Sequence, residues 1–503
     1  MRLHVKVPLV LAMEKSEQNS SSKVSGRVIG IGTAYLTITQ IIFFMSTNVI
    51  HLGLGRYFGP SIYGTFGVVM SIYLIIGSIL NSGVPKAVSK VLSGNGEHSA
   101  AIIKESMSIQ FKVAAILSLI LIIFAKQFAL ILRDVSLSKY VIVLGIMTVP
   151  YSYYTLNLSG FLNGRHMFKY QAITAIVHHI TRLVAVFLLV ALGFSVLGTF
   201  LGYFVAIITG IIYSNHILKK NPGIVTNHSF KKEIIRLATP LTLIALGFTL
   251  IRNVNTLFLK KMLVDTAAVG HYTAAVTLAN VPYLLLAAFP LTLLPSISKA
   301  IADDNFPLAQ KYISRSLRYL LMLILPFAAL IAATATDLLS LLYSGTYAPG
   351  GPSLAVLAVS SVSLSFFMTL GSILIAGGHA KIKLAALVVV IPLLFSLNIL
   401  FIPKYGILGA AITALLASSV AAIITGIFVY QKFRKLTELK SVVRISFCSV
   451  IIFVIAYHNQ FSGPYLLAAY AFLGSLYLLL LKVVGELQED DFKLFYNLTK
   501  IRK

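Results

Sequence analysis

The chain has 503 residues, of which 58% are hydrophobic and 11% charged, with mean hydropathy +0.90. Soluble domains run at about 45–50% apolar and about 25% charged, so this composition excludes a soluble enzyme and indicates a polytopic membrane protein. Net charge is +26, but the basic residues fall between apolar runs, so they read as topology signals and contacts to anionic membrane lipid, with no nucleic-acid partner.

Residues 1–28 read as a cytoplasmic tail, with an apolar patch too short to span and Met13 as an alternative start to Met1. A weak signal peptide is the competing reading, though no small-residue cleavage site is present. Fourteen apolar runs follow, at about 29–53, 62–83, 107–130, 138–161, 168–193, 194–217, 233–259, 267–293, 312–335, 352–376, 382–403, 405–431, 441–458 and 464–484. The expected fold is an all-α integral membrane protein of 14 transmembrane helices. Its divisions are an N-lobe at 29–217, a basic linker at 218–232, a C-lobe at 233–431, two further helices at 432–484 and a cytoplasmic tail at 485–503.

Lys and Arg partition sharply between alternate loops. With the N-terminus inside, 32 lie in cytoplasmic segments and seven in outer loops: Arg56, Lys126, Arg133, Lys139, Lys260, Lys261 and Lys404. Both termini are therefore expected in the cytoplasm. Arg182 and Arg252 lie within spans.

The first span carries an uncharged polar stripe of Thr33, Thr37, Gln40, Thr47 and His51. It either lines an aqueous cavity or serves helix–helix hydrogen bonding. In the fifth span Gln171, Thr174, His178 and Arg182 follow at steps of three and four, which puts them on one helix face. A guanidinium there costs about 2.5–3.5 kcal/mol on insertion scales, so that face meets water, a partner or an anionic ligand, or else Arg182 caps a neighbouring helix or pairs with backbone carbonyls. His178 is either a switchable proton site or a neutral histidine bonded between helices. The seventh span repeats the pattern with Thr242, Thr249, Arg252, Asn253 and Thr256. Arg252 lies about 10 Å from the end of that helix, so it either lines a cavity or snorkels to the interface.

None of the fifteen acidic residues lies deep in a span. Proton relays and cation-drug sites usually rest on buried carboxylates, so the intramembrane charge left here suits an anion such as pyrophosphate. The single cysteine, Cys448, offers no disulfide, zinc site or thiol relay, and no cofactor or metal motif is present.

The chain also repeats itself. Tyr63-Gly64-Thr65-Phe66 is echoed by Val269-Gly270-His271-Tyr272, Pro85 to Lys90 by Pro295 to Lys299, Gly164-Arg165-His166 by Gly378-His379, and Ala206 to Ile211 by Ala422 to Ile427. A six-helix unit is even-numbered, so the lobes share one orientation and the two last helices stand outside the repeat. The counterpart of Arg182 falls at Ser396 to Asn398, where there is no charge; a purely structural residue would more often recur in both lobes, which favours function.

Arg56-Tyr57-Phe58-Gly59-Pro60-Ser61-Ile62-Tyr63-Gly64, Gly83-Val84-Pro85-Lys86-Ala87-Val88-Ser89-Lys90, Gly160 to Arg165 and Tyr405 to Ala411 are similar to elements of polysaccharide transporters. With the six-six-two arrangement, residues 30–485 resemble lipid-linked oligosaccharide flippases of the multidrug/oligosaccharidyl-lipid/polysaccharide (MOP) exporter superfamily, and most closely its sporulation-type branch. The resemblance implies alternating access by a non-enzyme that carries a polyprenyl-pyrophosphate-linked sugar. Lipid II flippases of that superfamily depend on arginines in their first, second and eighth helices, and this sequence has none there. The substrate-site candidates are therefore Arg182, Arg252, His178, Asn253, Gln40, Thr37 and Thr249, in a multi-pass protein of the cell membrane acting as a monomer. A cation-coupled small-molecule exporter of the same architecture is the alternative reading; a membrane glycosyltransferase would need acidic groups that the short outer loops barely supply.

Overall fold

The computed structural model describes residues 8–95, 98–219, 229–263, 265–282, 296–301, 303–459, 461, 463 and 465–487, with side chains from Gly32 onward except at 33 and 380. Outside the described residues fall the side chain of Thr33, the middle of the 218–232 linker with Asn227, the later half of the eighth span with Pro290 and Pro295, and nearly all of the C-terminal tail.

Every regular element among the described residues is helical. In chain order these are α1 (Pro8–Ser82), α2 (Val84–Gly94), α3 (Ser99–Ile123), α4 (Ala125–Ile131), α5 (Ser138–Thr155), α6 (Phe168–Leu189), α7 (Ser195–Lys219), α8 (Lys231–Met262), α9 (Thr266–Ala279), α10 (Phe306–Ala333), α11 (Ala335–Leu342), α12 (Gly351–Ala376), α13 (Ala380–Phe433), α14 (Leu439–Asn459) and α15 (Tyr465–Val483). α1 reaches back to Pro8, into residues expected to form a flexible tail. Among the described residues, ten helical stretches are long and apolar enough to cross a bilayer.

Three stretches are folded hairpins. The 75 residues of α1 would run about 110 Å if straight, yet the Nδ1 of His51 lies 2.9 Å from the hydroxyl of Tyr63. The chain reverses at Gly59, whose φ of 70° and ψ of 173° no L-residue adopts readily. The backbone likewise leaves the helix at Gly193 (φ 91°) between α6 and α7, and at Gly406 (φ 56°) inside α13. Within α13 both Asn398 and Ala410 reach Asn255, so its two arms lie side by side.

The turns before α6 and α13 share one cap. His166 N–H donates to Asn163 O and Met167 N–H to Leu162 O, as Gly378 N–H donates to Ile375 O and His379 N–H to Leu374 O. The helical segments that precede α6 and α13 each end in this doubled bond around a left-handed residue, His166 or Gly378. The geometry sets His166 opposite Gly378, two residues away from the letter match of Gly164 with Gly378.

The core is unevenly distributed. At the end bearing Gly59 and Gly406, one continuous apolar cluster joins Leu54, Tyr63 and Phe66 to Leu259, Tyr272, Tyr343, Tyr347 and Ala410, from both halves of the chain. At the opposite end the clusters are separate: one holds Val84, Val88, Leu156 and Phe161 with Phe230 and Ile234, another Ile313, Leu317, Ile373 and Phe433. α8 belongs to both halves. Its first turns pack on α2, with Glu105 of α3 accepting from Phe230 N–H at 2.8 Å, while beyond Pro240 its Ile251 and Val254 pack on α12 and α13.

α14 and α15 pack against α10. Glu486, expected at the surface of the tail, is buried; its Oε1 accepts from Arg318 Nε at 2.7 Å, with Arg444 at 3.7 Å.

Candidate functional site

The polar stripe of α6 faces inward, as its spacing predicts. Gln171, Thr174, His178 and Arg182 are all buried. Gln171 accepts from Asn163 Nδ2 at 2.9 Å, and the His178 ring stacks on Tyr154 at 4.5 Å while its Nδ1 donates to Ala206 O at 2.9 Å. Arg182, only 5% exposed, donates from Nη2 to Ser46 Oγ and Thr47 Oγ1, both at 2.8 Å. Its guanidinium lies over the rings of Phe43 and Tyr203, 5.6 and 5.2 Å from their centroids. Arg182 Nε and Tyr203 Oη have no hydrogen-bond partner, and no described carboxylate pairs with the guanidinium.

Arg252 faces the interior, not the outer interface. It lies over Phe248, 5.7 Å from its centroid, and walls a cavity of about 40 Å³ together with Tyr272, Asn280, Ser360, Ser361 and Ser418. That is room for a few waters and not for a sugar. Asn253 bonds within its own helix, to Thr249 O at 2.9 Å. Thr37 and Gln40 are exposed, on the same face of α1 as Thr47 and His51. The structure does not gather these candidates into one shell: Arg182 and His178 are enclosed by α1, α6 and α7, whereas Arg252 is enclosed by α8, α9, α12 and α13.

Three features escaped the sequence reading. Asn255 and Asn398 are buried and joined at 2.8 Å, tying α8 to α13. Lys383, two residues inside the expected start of its span and read there as a loop charge, is 3% exposed. The third is a clasp between the two halves. Arg56 donates to the carbonyls of Leu341 and Leu342, Tyr347 Oη to Gly55 O at 2.7 Å, and Tyr63 meets Tyr343 at 3.2 Å. Lys260 pairs with Asp134 at 2.8 Å. Partial burial works against ionisation of Asp134, but hydrogen bonds from Lys260 and Ser136 prevail and hold its carboxyl below the usual range. Each of these charges read singly as an outer-loop residue; only the fold shows which ones meet.

Arg182 and Lys383 are thus buried cations that no described carboxylate pairs, in a helical body whose two halves are clasped at one end. Comparison with known proteins agrees in fold. The model of the polysaccharide biosynthesis protein family matches residues 29–301. The lipid II flippase MurJ of Bacillus subtilis (strain 168) is 25% identical over 410 residues, 72% of this chain and 74% of that protein. A solved lipid II flippase MurJ in an inward closed conformation superposes with TM-score 0.73 at 17% identity, over 90% of this chain and 98% of that one. An inward-facing multidrug resistance MATE family transporter of the MOP superfamily gives 0.70 at 15% identity, over 80% and 98%. With more than half of its length matched by the family model, this chain belongs to the polysaccharide biosynthesis protein family and carries the MOP-superfamily fold.

Proposed function

We propose that the protein is a flippase that moves a polyprenyl-(pyro)phosphate-linked oligosaccharide from the cytoplasmic to the outer leaflet by alternating access. The observation that carries this reading is the charge on Arg182 and Lys383, which are buried inside the helical body with no carboxylate in ion-pair distance among the described residues. Guanidinium and ammonium groups held this way attract phosphate oxygens. The lipid II flippase named above, related across most of its length, supports a lipid-linked cargo.

The architecture that serves this function is fourteen spans: ten stretches, three of them double, and the span that opens with α9. Residues 29–217 and 233–431 form lobes with both termini cytoplasmic, and one chain suffices. The clasped end is then the outer gate, closed, while the separate clusters at the other end leave a mouth toward the cytoplasm. Thr37 and Gln40 line that approach, Arg252 takes the headgroup charge, and Arg182 sets a positive potential in the N-lobe while fixing α1. The polyprenyl tail stays in lipid.

The test is flipping of a labelled lipid-linked sugar in proteoliposomes. Arg182→Ala and Arg252→Ala are each expected to slow it at least tenfold. If both flip at the wild-type rate, the site assignment fails; if the wild type flips no such lipid but expels cationic drugs down a proton or sodium gradient, the small-molecule exporter reading replaces it.

A further inference from the structure

The second arm of α13 carries an apolar stripe that no described element covers. Ile423, Ile427 and Tyr430 follow at steps of four and three, so they share one helix face, and they are 60%, 52% and 50% exposed. α14 and α15 pack on α10 instead. Gly426 leaves a hollow in the stripe. With Gln431, Arg434 and Leu436 of the following linker as further walls, the result is a groove of about 570 Å³. From Ile423 to Arg434 the helix rises about 16 Å, close to half of a hydrocarbon core about 30 Å thick. The groove therefore has the depth of one leaflet.

Its end is cationic. Arg434 closes α13 in the left-handed region, with φ 52° and its N–H donating to Tyr430 O at 2.7 Å. Glycine or asparagine is the usual residue in that conformation, so what an arginine adds there is its side chain. The residue is exposed, and no described carboxylate lies in ion-pair distance of it. Lys432, Lys435 and Lys440 stand close by in sequence, and the acid among them, Glu438, pairs with Lys435 at 3.8 Å. Tyr430 stands one turn before Arg434, at the level where tyrosine marks a membrane interface. The repeat of Ala206 to Ile211 at Ala422 to Ile427 matches this arm to α7. α7 also borders a groove, of about 620 Å³, with Phe111, Pro150, Ile208 and Ile211 in its wall, but that wall holds no charged residue. Apolar hollows occur in both halves; the guanidinium at the end belongs to one.

We propose that the groove on α13 binds one anionic glycerophospholipid of the surrounding bilayer, with an acyl chain along Ile423, Gly426 and Ile427 and the phosphate on Arg434. Apolar wall and basic end complement the two parts of such a lipid. The site faces the bilayer from one half of the chain and uses none of the cargo candidates, so it stands whatever the protein carries. Because Arg434 ends α13 and Leu436 belongs to the linker, the bound lipid fixes the path of the chain from α13 into α14.

The chain has no tryptophan, so a single one reports on its own position. Tyr430→Trp places it in the groove, and Phe447→Trp places it on α14, where Phe447 is 59% exposed, as a reference for ordinary lipid contact. Each full-length protein is reconstituted in phosphatidylcholine vesicles with a minority of brominated phosphatidylglycerol or brominated phosphatidylcholine, and quenching is followed. Tyr430→Trp is expected to show at least a fivefold preference for the brominated anionic lipid, and Phe447→Trp none. Adding Arg434→Gln should lower that preference about fivefold, whereas Arg434→Lys keeps most of it. Gly426→Leu should abolish it by filling the groove, at little cost to the fold, since a Cβ there would meet only Leu370 Cδ1, at 3.7 Å. The proposal is overturned if the tryptophans at 430 and 447 show equal preference, or if either Arg434→Gln or Gly426→Leu leaves the preference unchanged. It is also overturned if farnesyl pyrophosphate relieves the quenching at lower concentration than unbrominated phosphatidylglycerol, which would assign the groove to a polyprenyl headgroup.

Discussion

Arg182 is the residue at which a structural tie and the proposed cargo charge coincide. Its Nη2 ties α1 to α6 through Ser46 and Thr47, and Asn398 does the same between α8 and α13 through Asn255. The corresponding helices of the two halves are thus joined by a polar bond in both, once with a charge and once without. The tie accounts for a polar group at this position, but an amide makes it at far smaller desolvation cost, and in the proposed reading the positive charge serves the cargo. Arg182→Gln is expected to keep the unfolding temperature within a few degrees while slowing flipping, with both read on the same preparation. Asp134 carries a pH prediction. Its carboxyl titrates below the usual carboxylate value, so its contribution is complete above about pH 4 and is lost as pH falls through the lower folded value. Asp134→Asn is expected to mimic that loss at neutral pH. The clasp should weaken by about 1 kcal/mol, roughly fivefold in the open population, measured by solvent labelling of a cysteine placed at Tyr343 after Cys448 is replaced.

At the scale of elements, spacing told the truth about faces and little about partners. Steps of three and four on α6 placed Gln171 to Arg182 on one inward face because a helix fixes side-chain direction locally. Nothing local shows that Lys260 finds Asp134, or that Arg56 reaches the end of α11, since those pairs are set by how distant helices cross. Lys383 was missed for a related reason: a lysine at a span boundary normally snorkels, and only the path of α12 past Gly371 shows that this one does not. Glu486 was legible as an acid after the last span, but not as the peg that holds it. Removing a partner from a buried ion pair costs about 3–5 kcal/mol, so Glu486→Ala is expected to loosen α14 and α15 from α10. Limited proteolysis after α13 should release them faster, with Arg318→Met partly restoring stability by removing the orphaned charge.

At the scale of the whole molecule, the two halves approach backbone to backbone at a pair of glycines. A Cβ on Gly64 would come within 2.2 Å of Thr266 O and 2.9 Å of Gly270 N; one on Gly270 would come within 1.9 Å of Pro60 O and 3.1 Å of Gly64 N. The contact is reciprocal, each glycine meeting the residue four before the other. Backbones touch there because neither helix carries a side chain to keep them apart. The seal of the clasped end therefore has a clearance of less than one methyl group, and an added carbon on either side would act as a shim. Gly64→Ala or Gly270→Ala should hold that end ajar without disturbing the distant cations, so the protein would still bind its cargo but leak or stall at the step that needs a tight shut-off. A carrier machined to that tolerance can be jammed open by one carbon atom.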